Sequence, residues 1–166
     1  VPAQRWIPAY VGLGSNLDRP AERVAEALAA LGTLPASRLE ASSRLWRTRP
    51  VGPQDQPDYV NACAVLLTQL DAVGFHAALR SLERSLGKVP PAVRFGPRRI
   101  DLDLLAFGER THRDPDLEVP HPRLHERSFV LYPLAEIAPE LSVPGRGRVA
   151  TLLSRLPRED GPPVPL

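Results

Sequence analysis

Apolar positions follow two rhythms along this chain. Residues 7–13 (IPAYVGL) form an apolar run closed by Gly14, Ser15 and Asn16, the pattern of a buried strand ending in a turn. Val24, Ala27, Leu28 and Leu31 then recur at helical spacing; Pro20 suits the first turn, Asp18 can cap it and Gly32 stops it. Residues 38–47 (RLEASSRLWR) alternate weakly, as a strand does, and residues 48–57 (TRPVGPQDQP) read as a proline-rich loop. Residues 58–67 (DYVNACAVLL) are a second clear strand. Phe75, Leu79, Leu82 and Leu86 mark one face of a helix over 71–86, closed by Gly87. A long connection over 88–99 leads into a third clear strand, 100–107 (IDLDLLAF), which turns at Gly108. Residues 127–135 are apolar and predict a short helix or strand, interrupted in either case by Pro133. A last short helix falls around 149–155.

The order is strand, helix, strand, strand, helix, strand, with additions. Short connections at 31–38 and 108–112 suit antiparallel neighbours. This is the split βαβ order, and it predicts an α+β fold: a ferredoxin-like α/β sandwich with a mainly antiparallel sheet and helices packed on it. No repeat or linker divides the chain. One domain is expected over 1–156, followed by a tail, 157–166, with four prolines. That tail reads as extended and frayed.

At 166 residues the chain is long enough for one self-sufficient core. Cys63 is the one cysteine, which excludes an internal disulfide and a paired-cysteine zinc site. No apolar run approaches the ~18 residues of a membrane span, and the N-terminal residues lack the ~7–15-residue apolar core of a secretory signal. A soluble cytoplasmic protein is expected, with no membrane partner and no obligate protein partner. The net charge is only +2, yet residues 84–99 carry Arg84, Lys88, Arg94, Arg98 and Arg99 without one acid. That stretch is a local field for anions.

Asp101 and Asp103 lie two apart on a predicted strand, so their side chains share a face while Ile100, Leu102 and Leu104 point into the core. Their backbones are about 6.6 Å apart, two strand rises. Carboxylates at that spacing can share one metal ion or hold two. The competing reading is an Asp–Arg network on a solvated face, with Arg98 and Arg99 as the cations. All-oxygen ligands would suit Mg²⁺ or Mn²⁺, not zinc.

Other chemistries fit poorly. No P-loop pattern occurs, and Gly12 and Gly14 lack the third glycine of a dinucleotide fingerprint. His121 and His125 are four apart, but Pro122 stands where a zinc-protease helix needs glutamate. No serine sits in a nucleophile elbow. An RNA-binding sheet would want aromatic stacking positions, yet aromatics are 5% of residues and the third strand carries aspartates. No nucleic-acid partner is expected.

Three segments go beyond generic chemistry: GPQDQPDYVN at 52–61, RFGPRRIDLD at 94–103 and VPH at 119–121, flanked by GLGSNL at 12–17 and EIAPEL at 136–141. Together they closely resemble the 6-hydroxymethyl-7,8-dihydropterin pyrophosphokinases of folate biosynthesis, from about residue 8 to residue 155. The resemblance implies transfer of a diphosphate from ATP to the hydroxymethyl group of the pterin, with AMP released and two Mg²⁺ ions as cofactors. It implies that Asp101 and Asp103 bind magnesium and, with Arg98, form the catalytic set. Thr48, Val51, Tyr59, Asn61 and Phe129 match pterin contacts, Phe129 by stacking. Glu83, Arg94, Arg98, Leu104, His121 and Arg127 match positions around ATP, where Arg98, His121 and Arg127 would offset phosphate charge. The chain departs from the pattern in the cationic loop. Lys88 and Pro90 stand where many relatives carry arginines, so a bidentate fork and a phosphate contact are lost, and Arg94 takes part of that load.

Overall fold

Alternation along the strands divides the central sheet into two faces, each with its own pair of helices. The computed structural model describes residues 5–17, 19–49, 57–87, 100–158 and 161–166. In chain order the elements are β1 (Ile7–Ser15), α1 (Pro20–Leu31), β2 (Ser37–Ser42), β3 (Trp46–Thr48), β4 (Tyr59–Thr68), α2 (Ala72–Ser85) and β5 (Asp101–Phe107). There follow β6 (His112–Arg113), β7 (Glu118–Val119), α3 (Ser128–Ile137), β8 (Ser142–Val143), β9 (Gly147–Arg148), α4 (Val149–Ser154) and β10 (Val164–Pro165).

The main sheet runs β10-β3-β4-β1-β5, with every pair antiparallel and β2 on the same edge of β4 as β3. Counting β2 and β3 as one interrupted strand, this is the ferredoxin-like arrangement expected from the element order. The interruption was not expected within residues 38–47. A register shift between Leu39 and Ala41 bends the strand. Ser43 then replaces part of the ladder: its N–H donates to the Cys63 carbonyl at 2.8 Å, and its hydroxyl accepts from the Cys63 N–H at 2.9 Å. The C-terminal tail is extended, as expected, but it is docked, not frayed. Val164 and Pro165 pair with Arg47 and Trp46, and the Leu166 N–H donates to the Leu45 carbonyl at 2.9 Å.

On the first face, Ala9, Val11 and Leu13 of β1 pack with Leu102 and Leu104 of β5 under α1 and α2. Val24, Ala27 and Leu31 are the buried stripe of α1, and Phe75 and Leu79 that of α2. The caps differ from one another. Arg19, at φ 58°, precedes α1 without a side-chain cap, and Asp18 lies outside the described residues. Asp71 caps α2 by accepting from the Gly74 N–H at 2.7 Å.

On the second face, Cys63 and Leu105 pack against α3 and α4. Pro133 was expected to interrupt its segment, yet α3 continues through it to Ile137. An internal proline costs about 3 kcal/mol. Val130, Leu131 and Leu134 are buried on the same helix, and each such side chain contributes roughly 1.5–3 kcal/mol. Packing therefore outweighs the lost hydrogen bond.

Candidate active site

The site is assembled by register across three strands of the second face. Asp101 lies opposite Gly14, and Gly14 opposite Asn61; Asp103 lies opposite Gly12, and Gly12 opposite Cys63. Cross-strand partners project to the same side. Ile100, Leu102 and Leu104 are buried in the first core, as expected, so both carboxylates stand on the opposite face, half-buried.

The glycines make room. A Cβ on Gly14 would sit 2.6 Å from the Asn61 Nδ2, so the amide lies where a side chain at 14 would be. The Asn61 Nδ2 donates to the Leu13 carbonyl at 3.4 Å, and the Thr48 hydroxyl donates to the Asn61 Oδ1 at 3.3 Å. Thr48 and Asn61 are both buried. Tyr59, half-buried, pairs with Thr48 across β3 and β4. These three pterin candidates are thus brought together. Val51, Arg94 and Arg98 lie outside the described residues, as does the loop over 88–99.

A cleft of about 340 Å³ beside β5 is lined by Asp103, Leu104 and His121, with His76, Arg80 and residues 114–118. Leu104 is mainly a core residue that forms one wall. The His121 N–H bonds the Leu105 carbonyl at 2.8 Å, and its Nδ1 accepts from the Arg123 N–H at 3.1 Å. Burial pushes the His121 imidazole below its ordinary pKa. Asp103 opposes that shift, while Arg127 and Arg123 reinforce it. The shift favours the neutral ring, and because Nδ1 accepts a hydrogen bond the proton of that ring lies on Nε2. Arg127 holds its guanidinium 5.6 Å from the centre of the half-buried Phe129 ring.

Arg80 was missed by the sequence reading, and Glu83 has a setting the sequence did not anticipate. Glu83 is 2% exposed. Its Oε2 accepts from the Leu102 N–H at 2.7 Å, and its Oε1 lies 2.8 Å from the Arg80 Nη1. The Arg80 Nη2 donates to the Leu102 carbonyl and lies 3.8 Å from the Asp103 Oδ1. Among the described residues, the cation that approaches the aspartate pair is Arg80 of α2, beside Asp103; Arg98 and Arg99 lie outside the described residues. A signal was present: Glu83 is four residues after Leu79 and three before Leu86, an acid set in an apolar stripe.

The donor set fits a hard cation that keeps other ligands. Among the described residues no group of three His, Cys, Asp or Glu side chains converges on one point. Two carboxylates alone leave most coordination positions to phosphate oxygens and water, which is how Mg²⁺ is usually held.

Residues 10–139 match the family model described as 7,8-dihydro-6-hydroxymethylpterin-pyrophosphokinase (HPPK). The chain belongs to this family. It is 45% identical over 150 residues to the 2-amino-4-hydroxy-6-hydroxymethyldihydropteridine pyrophosphokinase of Pseudomonas aeruginosa, covering 90% of this chain and 92% of the relative. The protein of the same name from Haemophilus influenzae is 39% identical over 149 residues, covering 90% and 92%. In fold, the chain superposes on the crystal structure of wild-type Plasmodium falciparum HPPK-DHPS with a TM-score of 0.72 at 14% identity. The match covers 93% of this chain and 45% of that one, so this chain spans less than half of that protein. Within the HPPK match lie most of β1 and all of β4, β5 and α3, which carry the aspartates, Asn61 and Phe129; α4 and β10 fall outside it.

Proposed function

We propose that Asp101 and Asp103 hold Mg²⁺ for the HPPK reaction and that the pterin binds beside them, against Asn61, Thr48, Tyr59 and Phe129. The reaction is pyrophosphoryl transfer from ATP to hydroxymethyldihydropterin, a step of folate biosynthesis. One observation carries the site reading: Asp101, Gly14 and Asn61 form a single row across adjacent strands. Two strand spacings, roughly 10 Å, separate the backbones of Asp101 and Asn61, and the Asn61 amide reaches over Gly14 between them. A phosphate at the carboxylate end and a hydroxymethyl pterin at the amide end suit that row.

The pterin hydroxymethyl oxygen bonds to the β-phosphorus, the bond from that phosphorus to the α–β bridging oxygen breaks, and AMP leaves. The hydroxyl proton goes to solvent or phosphate. Such transfers depend on positioning and charge stabilisation. Bound Mg²⁺, for which two ions are proposed, would neutralise phosphate charge and hold the chain in line. Asp101 and Asp103 orient on one rigid strand and supply hard oxygen ligands. His121 offers its Nε2–H to a phosphate oxygen as a neutral donor. Arg127, and Arg94 and Arg98 from the cationic segment, supply positive charge around ATP, with Leu104 as an apolar wall. Asn61, held by Thr48 and the Leu13 carbonyl, presents a fixed polar edge, while Phe129 and Tyr59 give the flat apolar contact a pterin needs. Val51 is proposed as a further pterin contact. A need for ATP supports a cytoplasmic setting.

The test is product identity. With ATP, Mg²⁺ and reduced hydroxymethylpterin, the nucleotide released is expected to be AMP. Release of ADP, or turnover unchanged by removing Mg²⁺ with a chelator, would overturn the reading.

A further inference from the structure

We infer that Arg80 and Glu83 together act as a surrogate strand that clamps the outer edge of β5 and sets the presentation of Asp101 and Asp103. The inference rests on the metal reading above.

β5 is the last strand of its sheet. One edge pairs with β1; the other would leave backbone donors and acceptors unpaired. At Leu102, the residue between the two aspartates, both outward groups are engaged. Its N–H donates to Glu83 Oε2 at 2.7 Å, and its carbonyl accepts from Arg80 Nη2. A neighbouring antiparallel strand would offer this same pair, one acceptor and one donor. Here two side chains one helical turn apart supply it, joined to each other at 2.8 Å. Glu83 is buried, so its charge needs these partners, and the arrangement is rigid because each member satisfies another.

The consequence reaches the carboxylates. A strand pinned at Leu102 cannot twist freely, so the side chains at 101 and 103 hold their directions on the opposite face. Arg80 also stands 3.8 Å from Asp103 Oδ1. Its tighter bonds are to Glu83 and Leu102, so it tempers the carboxylate without occupying it as a short ion pair would. Arg80 and Glu83 are positioning residues: they act through β5. A planar fork is required, because one group must reach a carboxylate and a carbonyl at once.

The test uses full-length protein and the variants Arg80→Gln, Arg80→Lys and Glu83→Gln. The first measurement is amide hydrogen exchange at Leu102 without nucleotide or metal. The second is Mn²⁺ affinity by EPR in the presence of α,β-methylene-ATP. The third is kcat and pterin KM. In the wild-type protein the Leu102 amide is expected to be protected although it lies on a sheet edge. In Arg80→Gln it should exchange about tenfold faster or more. Mn²⁺ affinity and kcat should each fall by about tenfold or more, the usual scale for partners that orient metal ligands. Pterin KM should stay within about twofold, and Arg80→Lys should recover only part of the loss. A freely exchanging Leu102 amide in the wild type would overturn the clamp. So would faster exchange in the variants with Mn²⁺ affinity and kcat unchanged. If Arg80→Gln does not fold, Arg80→Lys and Glu83→Gln read the same quantities. The exchange measurement needs no metal or ATP, so a wild-type protein that releases no AMP would sink the functional reading while the clamp is still judged by exchange.

Discussion

Beneath α1 and α2 the middle of the sheet is apolar, with Val11, Leu13, Ala62, Ala64, Leu102 and Leu104 all buried, and the polar Ser15 and Thr68 stand at the strand ends. Beneath α3 and α4 the apolar surface runs only part of the way along the same strands. Cys63 and Leu105 pack there; the row through Cys63 and Gly12 ends on Asp103, and the next row is Asn61, Gly14 and Asp101. The contrast arises within single strands, because neighbouring residues alternate between faces. One face can therefore carry stability while the other carries charge. Two adjacent carboxylates repel each other, and a strand anchored by a full core on its reverse side tolerates that repulsion.

Substitutions on the two faces should separate activity from stability. Asp103→Ala should lower metal-dependent turnover by at least about a hundredfold. The midpoint of denaturation should not fall, since a repulsion is removed; turnover within tenfold of the wild type would break the contrast. Leu79→Ala, on the first-face side, should do the reverse. Its side chain is fully buried, so denaturant titration should show a loss of about 2–5 kcal/mol, while kcat at a temperature where the variant is folded stays near the wild-type value. Gly14→Ala sharpens the comparison within the second face. The new methyl would meet Asn61 Nδ2 at 2.6 Å, whereas one at Gly12 would meet the end of Leu105 at 3.3 Å. Gly14→Ala should displace the amide, at about 1–3 kcal/mol of strain, and weaken pterin binding measured by calorimetry about tenfold, on the scale of one lost hydrogen bond. Gly12→Ala should weaken it much less.

The smallest effect concerns Cys63, at the apolar end of the second face. Burial pushes its thiol far above the ordinary value of 9.0, and the Glu136 charge adds to the shift. The sulfur donates to the Val130 carbonyl at 3.7 Å. The native thiol should resist iodoacetamide at pH 8 and react once the chain is unfolded. A folded-state pKa above the unfolded value means that the contribution is complete below about pH 9 and declines as pH rises further. Stability measured at pH 10 should therefore be slightly lower than at pH 8.

Much of this arrangement was readable along the chain. The three clear strands were visible because apolar runs bounded by glycines and polar residues leave few alternatives, and α1 and α2 because their stripes repeat at helical spacing. The Asp101–Asp103 pair followed from a period of two. Other features depend on partners far along the chain. Ser43 interrupts the second strand because it meets Cys63. Pro133 remains inside α3 because that helix is buried on the sheet. Residues 164–166 are fixed by β3, not by their own composition. Arg80 acquires its role because α2 lies beside the edge of β5.

Local periodicity alone determined the three clear strands, the apolar stripes of α1 and α2, and that two carboxylates share a side. These follow from geometry within a few residues, which every copy of such a pattern obeys. Tertiary structure alone decided that Asp101 lies in one row with Gly14 and Asn61, that burial lowers the His121 pKa, and that Arg80 and Glu83 complete the edge of β5. Those outcomes rest on register, burial and hydrogen bonds between segments distant in sequence, and no local pattern encodes them.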